Sequence, residues 1–355
     1  MTADRDGFES ALDSGRRVIR DARPEVSVVV CSRDGARTLP VTLAALRCQT
    51  IDPGRFEVVV VDDGSSDETA AIARAAGAEV VRLSPSQGLA AARNAGVAAA
   101  RTPLVAFTDD DCEPTPSWLA EVLEAMSPPG VDGVGGWVQP ACDSAFRRRF
   151  LQDVNPLTPL AGDLLRSRAP LYRLMLYLRG ICGLAPRLQD GAELYAVVGA
   201  NMTLRRALLD ALGGFDPAIR FGGEEEELCM RARRLRPAAR LRYAERAVVI
   251  HHFPPSPVDG LRRARAYGRG HRQTARRHPE VRAIVYPVPA LGLLAALATA
   301  FGKGRERRRW WPALSLIAYP RFVIACGRRR SLEPLLYGPL QLAEEVATML
   351  GEWER

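Results

Sequence analysis

The sequence predicts an α/β fold, Rossmann-like in outline, with a mostly parallel central sheet flanked by helices. Short apolar runs rich in β-branched residues alternate with helix-like segments over the first third of the 355 residues. Strands that alternate with helices of about 10–15 residues form βαβ units, which require a parallel sheet with right-handed crossovers. Two of these runs end in adjacent aspartates, and open α/β sheets bind ligands at the carboxyl ends of their strands. The pattern is therefore that of a ligand-binding α/β domain with an acidic site.

Strands and helices alternate regularly up to residue 107. The predicted strands are residues 26–30, 57–61, 79–83 and 104–107. The helices predicted between them are residues 38–49, 67–76 and 88–100. The first helix carries leucines at helical spacing, and the second is rich in alanine. No GxGxxG sequence follows the first strand, so a dinucleotide-binding site is not expected.

The middle of the chain has less regular patterning. Residues 130–200 combine strand-like and loop-like segments, and a second α/β stretch covers residues 197–250. Ala169 to Leu184 interleaves large apolar side chains with arginine. This interleaving predicts an amphipathic helix, which would belong either to the core or to a membrane surface.

Composition limits the expected compartment and partners. The seven cysteines are scattered without a CxxC pair, which favours reduced thiols in the cytosol over a disulfide framework or a zinc site. Residues 1–24 lack the apolar core of a signal peptide, and we expect them to form a disordered arm. The net charge is +8, but no helix-turn-helix, zinc or aromatic RNA-binding signature accompanies it. We therefore expect a cytoplasmic protein that does not bind nucleic acid.

Three consecutive aspartates, Asp109, Asp110 and Asp111, directly follow the apolar strand 104–107. Adjacent carboxylates repel one another when they are ionised, so a cation among them lowers the cost of keeping them together. Aspartate oxygens suit Mg²⁺ or Mn²⁺, and these ions often share their coordination with substrate phosphates. For such a run taken alone, a solvated acidic turn is the alternative.

A second acidic segment follows the strand 57–61. Asp62 and Asp63 end that strand, Gly64 and two serines form a turn, and Asp67 is placed to cap the next helix. A turn of this kind suits the edge of a nucleotide, where Asp63 would accept a hydrogen bond from a base N–H. The alternative is a strand-to-helix turn in which these residues serve only as caps.

Seven motifs together carry a resemblance to a known family. They are VVVCSR (28–33), DDGSSDET (62–69), QGLAAARNAG (87–96), TDDD (108–111), GANM (199–202), GGFD (213–216) and GGEEEEL (222–228). In this order and spacing they resemble the nucleotide-sugar domain of inverting family 2 glycosyltransferases, which have the GT-A fold. The resemblance covers roughly residues 25–255. It implies a GT-A domain at 25–258, with a nucleotide-sugar half at 25–127 and an acceptor half at 128–258.

The resemblance also implies roles for the acidic and basic side chains. It places Asp63 against the nucleobase and gives Asp109 and Asp111 the acidic positions of the family's DxD motif, with Asp111 the direct ligand of Mn²⁺ or Mg²⁺. Asp110 would contact ribose or solvent. The ion would offset charge on the leaving nucleoside diphosphate. The other nucleotide-binding positions implied are Cys31, Arg33, Asp62, Gly64 and Arg93.

A histidine pair, His251 and His252, follows the apolar strand 247–250. The resemblance implies that one histidine after this strand completes the metal site, and we prefer His251. A polar start to a loop is the alternative.

Sugar transfer to a hydroxyl requires a general base, and the glutamates 224–227 supply candidates at the start of a helix. The resemblance implies a Glu-Asp pair here with the aspartate as base, so we expect Glu225 to be the base and Glu224 to be the second candidate. Stabilisation of acids by the helix dipole is the alternative explanation. Leu228, Ala232 and Leu235 should form the buried face of the helix. Glu227 should pair with Arg231 one turn later.

The region 259–355 should be basic and helical, with apolar segments at 283–301 and 311–326. It is expected either to dock on a membrane surface or to form a soluble subdomain or a dimer interface. The main hypothesis is a glycosyltransferase that uses a nucleoside-diphosphate sugar, with UDP favoured, and a hydroxyl acceptor that is lipid-linked or part of an envelope glycan. Such an enzyme could work at the cytoplasmic face of the cell membrane. The alternatives are a nucleotidyltransferase and an inactive nucleotide-sugar-binding scaffold.

Overall fold

An eight-stranded mixed sheet lies at the centre of the protein in a computed structural model that describes residues 23–167, 169–278 and 319–354. The order of its strands is β3-β2-β1-β4-β9-β6-β10-β5, and β7 pairs with β8 separately. The strands are β1 Val26–Ser32, β2 Phe56–Asp63, β3 Glu79–Leu83, β4 Leu104–Asp109, β5 Cys112–Pro114, β6 Val131–Ala141, β7 Leu160–Ala161, β8 Leu194–Ala196, β9 Met202–Arg205 and β10 Arg240–His252.

Helices cover both faces of this sheet. They are α1 Leu39–Arg47, α2 Thr69–Ala75, α3 Leu89–Ala99, α4 Trp118–Met126, α5 Ala145–Asp153, α6 Asp163–Arg166, α7 Pro170–Ile181, α8 Arg206–Leu212, α9 Glu224–Leu235, α10 Pro257–Arg277, α11 Pro320–Arg329 and α12 Tyr337–Trp353. Short 3₁₀ turns occur at Pro53–Arg55 and Glu333–Leu336.

The first half of the sheet has the predicted parallel βαβ arrangement. β1 pairs in parallel with β2 on one side and with β4 on the other, and β3 extends the sheet beyond β2. Both faces of β1 are buried, because Val28 and Val30 pack into one apolar layer and Val29 packs into the other. Continuous apolar runs are typical of such doubly covered strands. Beyond β4 the sheet becomes mixed, since β9 runs antiparallel to both β4 and β6.

A buried asparagine connects the two halves of the sheet. The amide of Asn201 accepts a hydrogen bond from Trp118 Nε1 at 2.9 Å and donates to Trp137 O at 3.0 Å and Ala247 O at 2.8 Å. Asn201 is only 1% exposed, so each of these bonds replaces one that water would otherwise supply. Gly136 lies directly against this amide, because a Cβ there would come within 2.4 Å of Asn201 Nδ2.

The amphipathic helix expected at 169–184 is present as α7. Ile181 is buried, whereas Leu171, Met175 and Leu178 are exposed and form a stripe along the helix. One prediction for α9 was wrong. Leu235 is 53% exposed, because the helix ends there and its last turn projects beyond the core.

The C-terminal helices α10 and α12 pack against each other. α10 and α12 cross closely at glycines: a Cβ on Gly268 would meet Thr348 O at 1.9 Å, and one on Gly351 would meet Arg265 O at 2.0 Å. None of the helices in the described ranges combines the length and apolar character that a membrane span requires. Most of the predicted arm and the apolar segment 283–301 lie outside the described residues, as does the part of 311–326 before Tyr319.

We expect Gly136→Ala to lower the free energy of unfolding by about 3 kcal/mol, because a Cβ would meet Ala247 O at 2.1 Å and neither strand can retreat without losing the Asn201 hydrogen bonds. Chemical denaturation measures the change. Gly180→Ala is the matched control, since nothing lies within 4 Å of its Cβ position, and it should stabilise α7 by about 0.5–1 kcal/mol. Equal stability of the two variants would contradict the close packing at Gly136.

Candidate active site

A cavity of about 180 Å³ lies at the carboxyl ends of β1 and β4. The register between these strands ends at the pair of Cys31 and Asp109. Both residues line the cavity. The cavity therefore occupies the edge of the sheet where the sequence placed the acidic site. Its other lining residues are Leu89, Arg93, Asp110, Asp111, Leu157, Val198, Gly199, Ala200, Phe221, Gly222, Glu224, Glu225, His251, Arg263 and Tyr267.

One side of the cavity carries a cluster suited to a metal ion. Ligand atoms of Asp109, Asp111, Cys112 and His251 all lie within 4.8 Å of one another. Pairing of β10 with β5 creates this proximity, because His251 lies opposite Cys112 in the register, next to Asp111. His251 Nε2 is 3.3 Å from Asp111 Oδ1. His252 points elsewhere and contacts Glu113 on the surface.

The electrostatics of the cluster fit a divalent cation. Burial raises the pKa values of Asp109 and Asp111, and Asp111 raises that of Asp109 further. Burial, assisted by Arg263, lowers the pKa of His251 to about 3, so its imidazole is neutral and can act as a ligand. A cation would relieve the repulsion between the carboxylates. Sequence reasoning missed Cys112, although it directly follows the aspartates.

Asp110 lies on the cavity wall beside β1. Its Oδ2 accepts a short hydrogen bond from Ser32 Oγ, and Gly35 leaves the space that this contact needs. Burial raises the pKa of Asp110 to about 7, Asp111 and Asp109 add to the rise, and the Ser32 hydrogen bond opposes it. The carboxylate is thus held in place by Ser32 but is costly to ionise beside its neighbours.

The predicted nucleotide-edge residues form a rigid turn beside the cavity. The carboxylate of Asp63 accepts hydrogen bonds from Ser86 Oγ, Gln87 N and Gly88 N at 2.7–2.9 Å. Gly64 has a φ of +74°, and a Cβ there would lie 2.8 Å from Ser86 N. Asp63 therefore joins two loops, and its contact with a base stays a prediction.

The other predicted nucleotide-binding residues are divided between the turn and the cavity. Asp62 Oδ1 accepts from Ser65 N at 2.8 Å, and Arg33 donates to Ser86 Oγ at 3.2 Å from an exposed position. Neither residue lines the cavity, whereas Cys31 does. Burial raises the pKa of Cys31 to about 12, so its sulfur is a neutral thiol.

Arg93 is buried between the acidic cluster and the glutamates of α9. Its Nη1 donates to Glu224 Oε1 at 2.6 Å, and its Nη2 is 3.7 Å from Asp109 Oδ1. The guanidinium also lies 5.6 Å from the ring centroid of Phe215. Although burial alone would lower its pKa, the carboxylates raise it, so Arg93 remains charged.

The glutamates at the start of α9 have different environments. Glu224 is 1% exposed and paired with Arg93; burial and Glu225 raise its pKa to about 8. Glu225 Oε1 accepts from Gly199 N at 3.2 Å, and its Oε2 has no hydrogen-bond partner among the described residues. Glu227 pairs with Arg231 through two short contacts, as predicted. Glu224 Oε2 also lacks a hydrogen-bond partner among the described residues, so the two glutamates differ in the close ion pair that Glu224 makes with Arg93.

Helix α10 closes the cavity with residues that sequence reasoning did not assign to the site. Arg263 and Tyr267 line the wall, and the Tyr267 ring stacks on Phe221 at 5.5 Å. The basic helix was recognised in the sequence, but no local signal shows which of its faces meets the cavity.

Comparison with known proteins identifies the family. The profile described as Glycosyl transferase family 2 matches residues 27–213, more than half of the chain. The protein belongs to glycosyltransferase family 2. Residues 27–213 therefore form a family 2 glycosyltransferase domain.

Curated relatives agree with this assignment. A pre-mycofactocin glycosyltransferase of Mycobacterium tuberculosis is 31% identical over 286 residues, covering 80% of this chain and 54% of that protein. Glycosyltransferase AglE of Haloferax volcanii is 37% identical over 121 residues, covering 33% of this chain and 40% of that protein. The family 2 chain thus spans about half of the length of these relatives, or less.

A solved structure shows the same fold. Mannosyltransferase PcManGT from Pyrobaculum calidifontis, in complex with GDP-Man and Mn²⁺, aligns over 98% of this chain and 95% of its own, with a TM-score of 0.61 and 19% identity. At that identity the likeness establishes the fold alone. This family 2 protein therefore has the expected GT-A fold, with additional C-terminal helices.

We expect Asp110→Asn to stabilise the metal-free protein by about 1–3 kcal/mol at pH 8, because it removes a carboxylate whose pKa is raised to about 7. A carboxyl group whose pKa is raised by folding lowers the stability of the folded protein as the pH rises from its ordinary pKa, and the loss is complete above the raised pKa. The advantage of the variant should therefore shrink as the pH falls through 7 towards the ordinary pKa of 3.8. Chemical denaturation in the presence of a chelator, at several pH values, measures the difference in the free energy of unfolding between the variant and the wild type. Exposed Glu113→Gln is the control, and a pH-independent difference would contradict the explanation.

Proposed function

We propose that this glycosyltransferase moves a sugar from a nucleoside-diphosphate donor to a hydroxyl acceptor with inversion at the anomeric carbon. The observation that carries the proposal is one cavity whose wall contains both the Asp109–Asp111–His251 cluster and the carboxylate of Glu225. Inversion requires one displacement, in which the acceptor oxygen attacks as the bond to the diphosphate breaks. The acidic cluster would hold the diphosphate end of the donor, and Glu225 would hold the acceptor hydroxyl.

The donor end would be held with a divalent ion, Mn²⁺ or Mg²⁺. Asp109 and Asp111 supply hard oxygen ligands, and His251 supplies a neutral nitrogen. His251 Nε2 lies 3.3 Å from Asp111 Oδ1, so this nitrogen would face the ion while Nδ1 carries the ring proton. The ion would offset charge on the departing diphosphate. The Mn²⁺ in the mannosyltransferase of the same fold supports this choice.

The acceptor end would use Glu225 as the general base. Its free Oε2 would take the proton of the acceptor hydroxyl, while the oxygen forms the new bond to the anomeric carbon and the nucleoside diphosphate leaves. Glu224 suits this role less well, because its carboxylate is enclosed and paired with Arg93. The hydrogen bond from Gly199 N would keep Glu225 oriented.

We extend the proposal to a UDP-sugar as the favoured donor and to an acceptor that is lipid-linked or part of an envelope glycan. Peripheral association with the cytoplasmic face of the cell membrane would accompany such an acceptor. The exposed apolar stripe of α7, with Arg179 at its flank, supports this placement.

The basic test is the release of nucleoside diphosphate. Purified protein is incubated with Mn²⁺, a panel of nucleotide sugars, and membrane extract as the acceptor source. Turnover with at least one donor is expected, and inversion is read from the anomeric configuration of the product. No release with any donor would overturn the proposal.

We expect Asp111→Asn and His251→Ala to weaken Mn²⁺-dependent binding of nucleoside diphosphate by at least about 10–100-fold, the loss typical even of residues that only support metal ligands. Calorimetric titration with and without Mn²⁺ measures it. Glu113→Gln and His252→Ala are matched controls, because these neighbours pair with each other at the surface. Unchanged binding in both site variants would exclude this cluster as the metal site.

We expect Glu225→Gln to lower kcat by about 10²–10⁴-fold while donor binding stays unchanged, because the amide cannot accept the acceptor proton. Steady-state kinetics and donor titration measure the two quantities. Full activity in this variant would refute the assignment and move the role to Glu224, which Glu224→Gln would then test.

A further inference from the structure

The cavity has few cationic side chains to receive a diphosphate. The carboxylates on its wall are Asp109, Asp110, Asp111, Glu224 and Glu225. The guanidinium of Arg93 is 3% exposed and already committed to Glu224 at 2.6 Å. A donor diphosphate brings further negative charge, so a metal ion alone would face a wall that is strongly acidic.

Arg263 is the other arginine on the described part of the cavity wall. Its side chain is 24% exposed, and its Nη2 is 3.9 Å from Asp111 Oδ2, beyond hydrogen-bonding distance. Its Nη1 reaches His251 Nε2 only at 3.5 Å. The guanidinium lies 5.1 Å from the ring centroid of Phe253, which supports its flat face and leaves its edge directed at the cluster. Among the described residues, its N–H groups therefore have weak partners.

Metal binding would change the surroundings of Arg263. Its two close polar contacts, Asp111 and His251, belong to the candidate metal cluster. An ion bound there would take over these ligand atoms and repel the guanidinium. An anion between the two positive charges removes this repulsion, and the planar fork of arginine matches a phosphate group.

We propose that Arg263 binds the sugar-linked phosphate of the donor diphosphate, beside Asp111 and His251. This inference rests on the proposed function. The phosphate gains negative charge as the bond to the sugar breaks, so the same contact stabilises the leaving group. Arg263 is accordingly a substrate-binding residue supplied by the C-terminal helices rather than by the central sheet.

The packing of α10 keeps Arg263 in this position. A Cβ on Gly270 would lie 1.5 Å from Gly222 O, so the helix rests directly on the turn that precedes the catalytic glutamates. On its far side, α12 contacts Gly268 at a distance that leaves no room for a side chain. Rigid support of this kind lets the Arg263 side chain hold its charge at a fixed distance from Asp111 and His251.

The test compares diphosphate with monophosphate binding. The full chain is titrated with UDP, UMP, GDP and GMP in the presence of Mn²⁺ by calorimetry, for wild type, Arg263→Gln, Arg263→Lys and Arg262→Gln. Arg262 is the matched control, because it is next in the helix, 76% exposed and paired with Asp259. Thermal denaturation establishes that every variant is folded.

Arg263→Gln should weaken binding of the nucleoside diphosphate by about tenfold or more, the loss expected for a hydrogen bond to a charged group. Monophosphate binding should change less than twofold, Arg263→Lys should be intermediate, and Arg262→Gln should match the wild type. Unchanged diphosphate binding, or equal loss for both nucleotides, would overturn the role of Arg263 while leaving the proposed function intact. If the wild type binds none of the four nucleotides, the proposed function fails as well.

Discussion

The geometry of the candidate active site depends on the buried guanidinium of Arg93. A charge in this position is costly to remove from water, and it is tolerated only because Glu224 lies 2.6 Å away and Asp109 lies 3.7 Å away. The same ion pair links α3, β4 and α9, so it sets the distance between the metal cluster and the glutamates. Removing one partner of a buried pair typically costs about 3–5 kcal/mol, because the other charge is left uncompensated.

Gly199 shows how the backbone accommodates this pair. A Cβ at this position would come within 1.9 Å of Arg93 Nη2, so only glycine permits the guanidinium to lie there. The backbone N–H of the same residue donates to Glu225 Oε1 at 3.2 Å. One glycine therefore makes space for the structural cation and orients the proposed base. The following Asn201 serves the fold instead, through its hydrogen bonds to Trp118 and the strand carbonyls.

Local patterns predicted most of the fold and one side of the site. Periodicity placed the parallel strands and the aspartates at the end of β4, because such signals depend on neighbours in the chain. The end of α9 was misjudged, since exposure of Leu235 depends on where the core stops. Arg263 could not be assigned, because helix packing brings it to the cluster. The loop-joining role of Asp63 arises from a turn 23 residues later in the chain.

Several arginines of helix α10 contact the end of helix α12. Arg265 and Arg269 pair with Glu354, and Arg272 donates to the backbone carbonyls of Glu352 and Glu354. These arginines hold the end of α12 against α10, which fixes the face that carries Arg263 and Tyr267. The basic composition of this helix thus serves contacts within the chain, so it is not by itself a reason to expect nucleic acid or lipid headgroups. The boundary drawn at residue 258 from the sequence consequently divides residues that line one cavity.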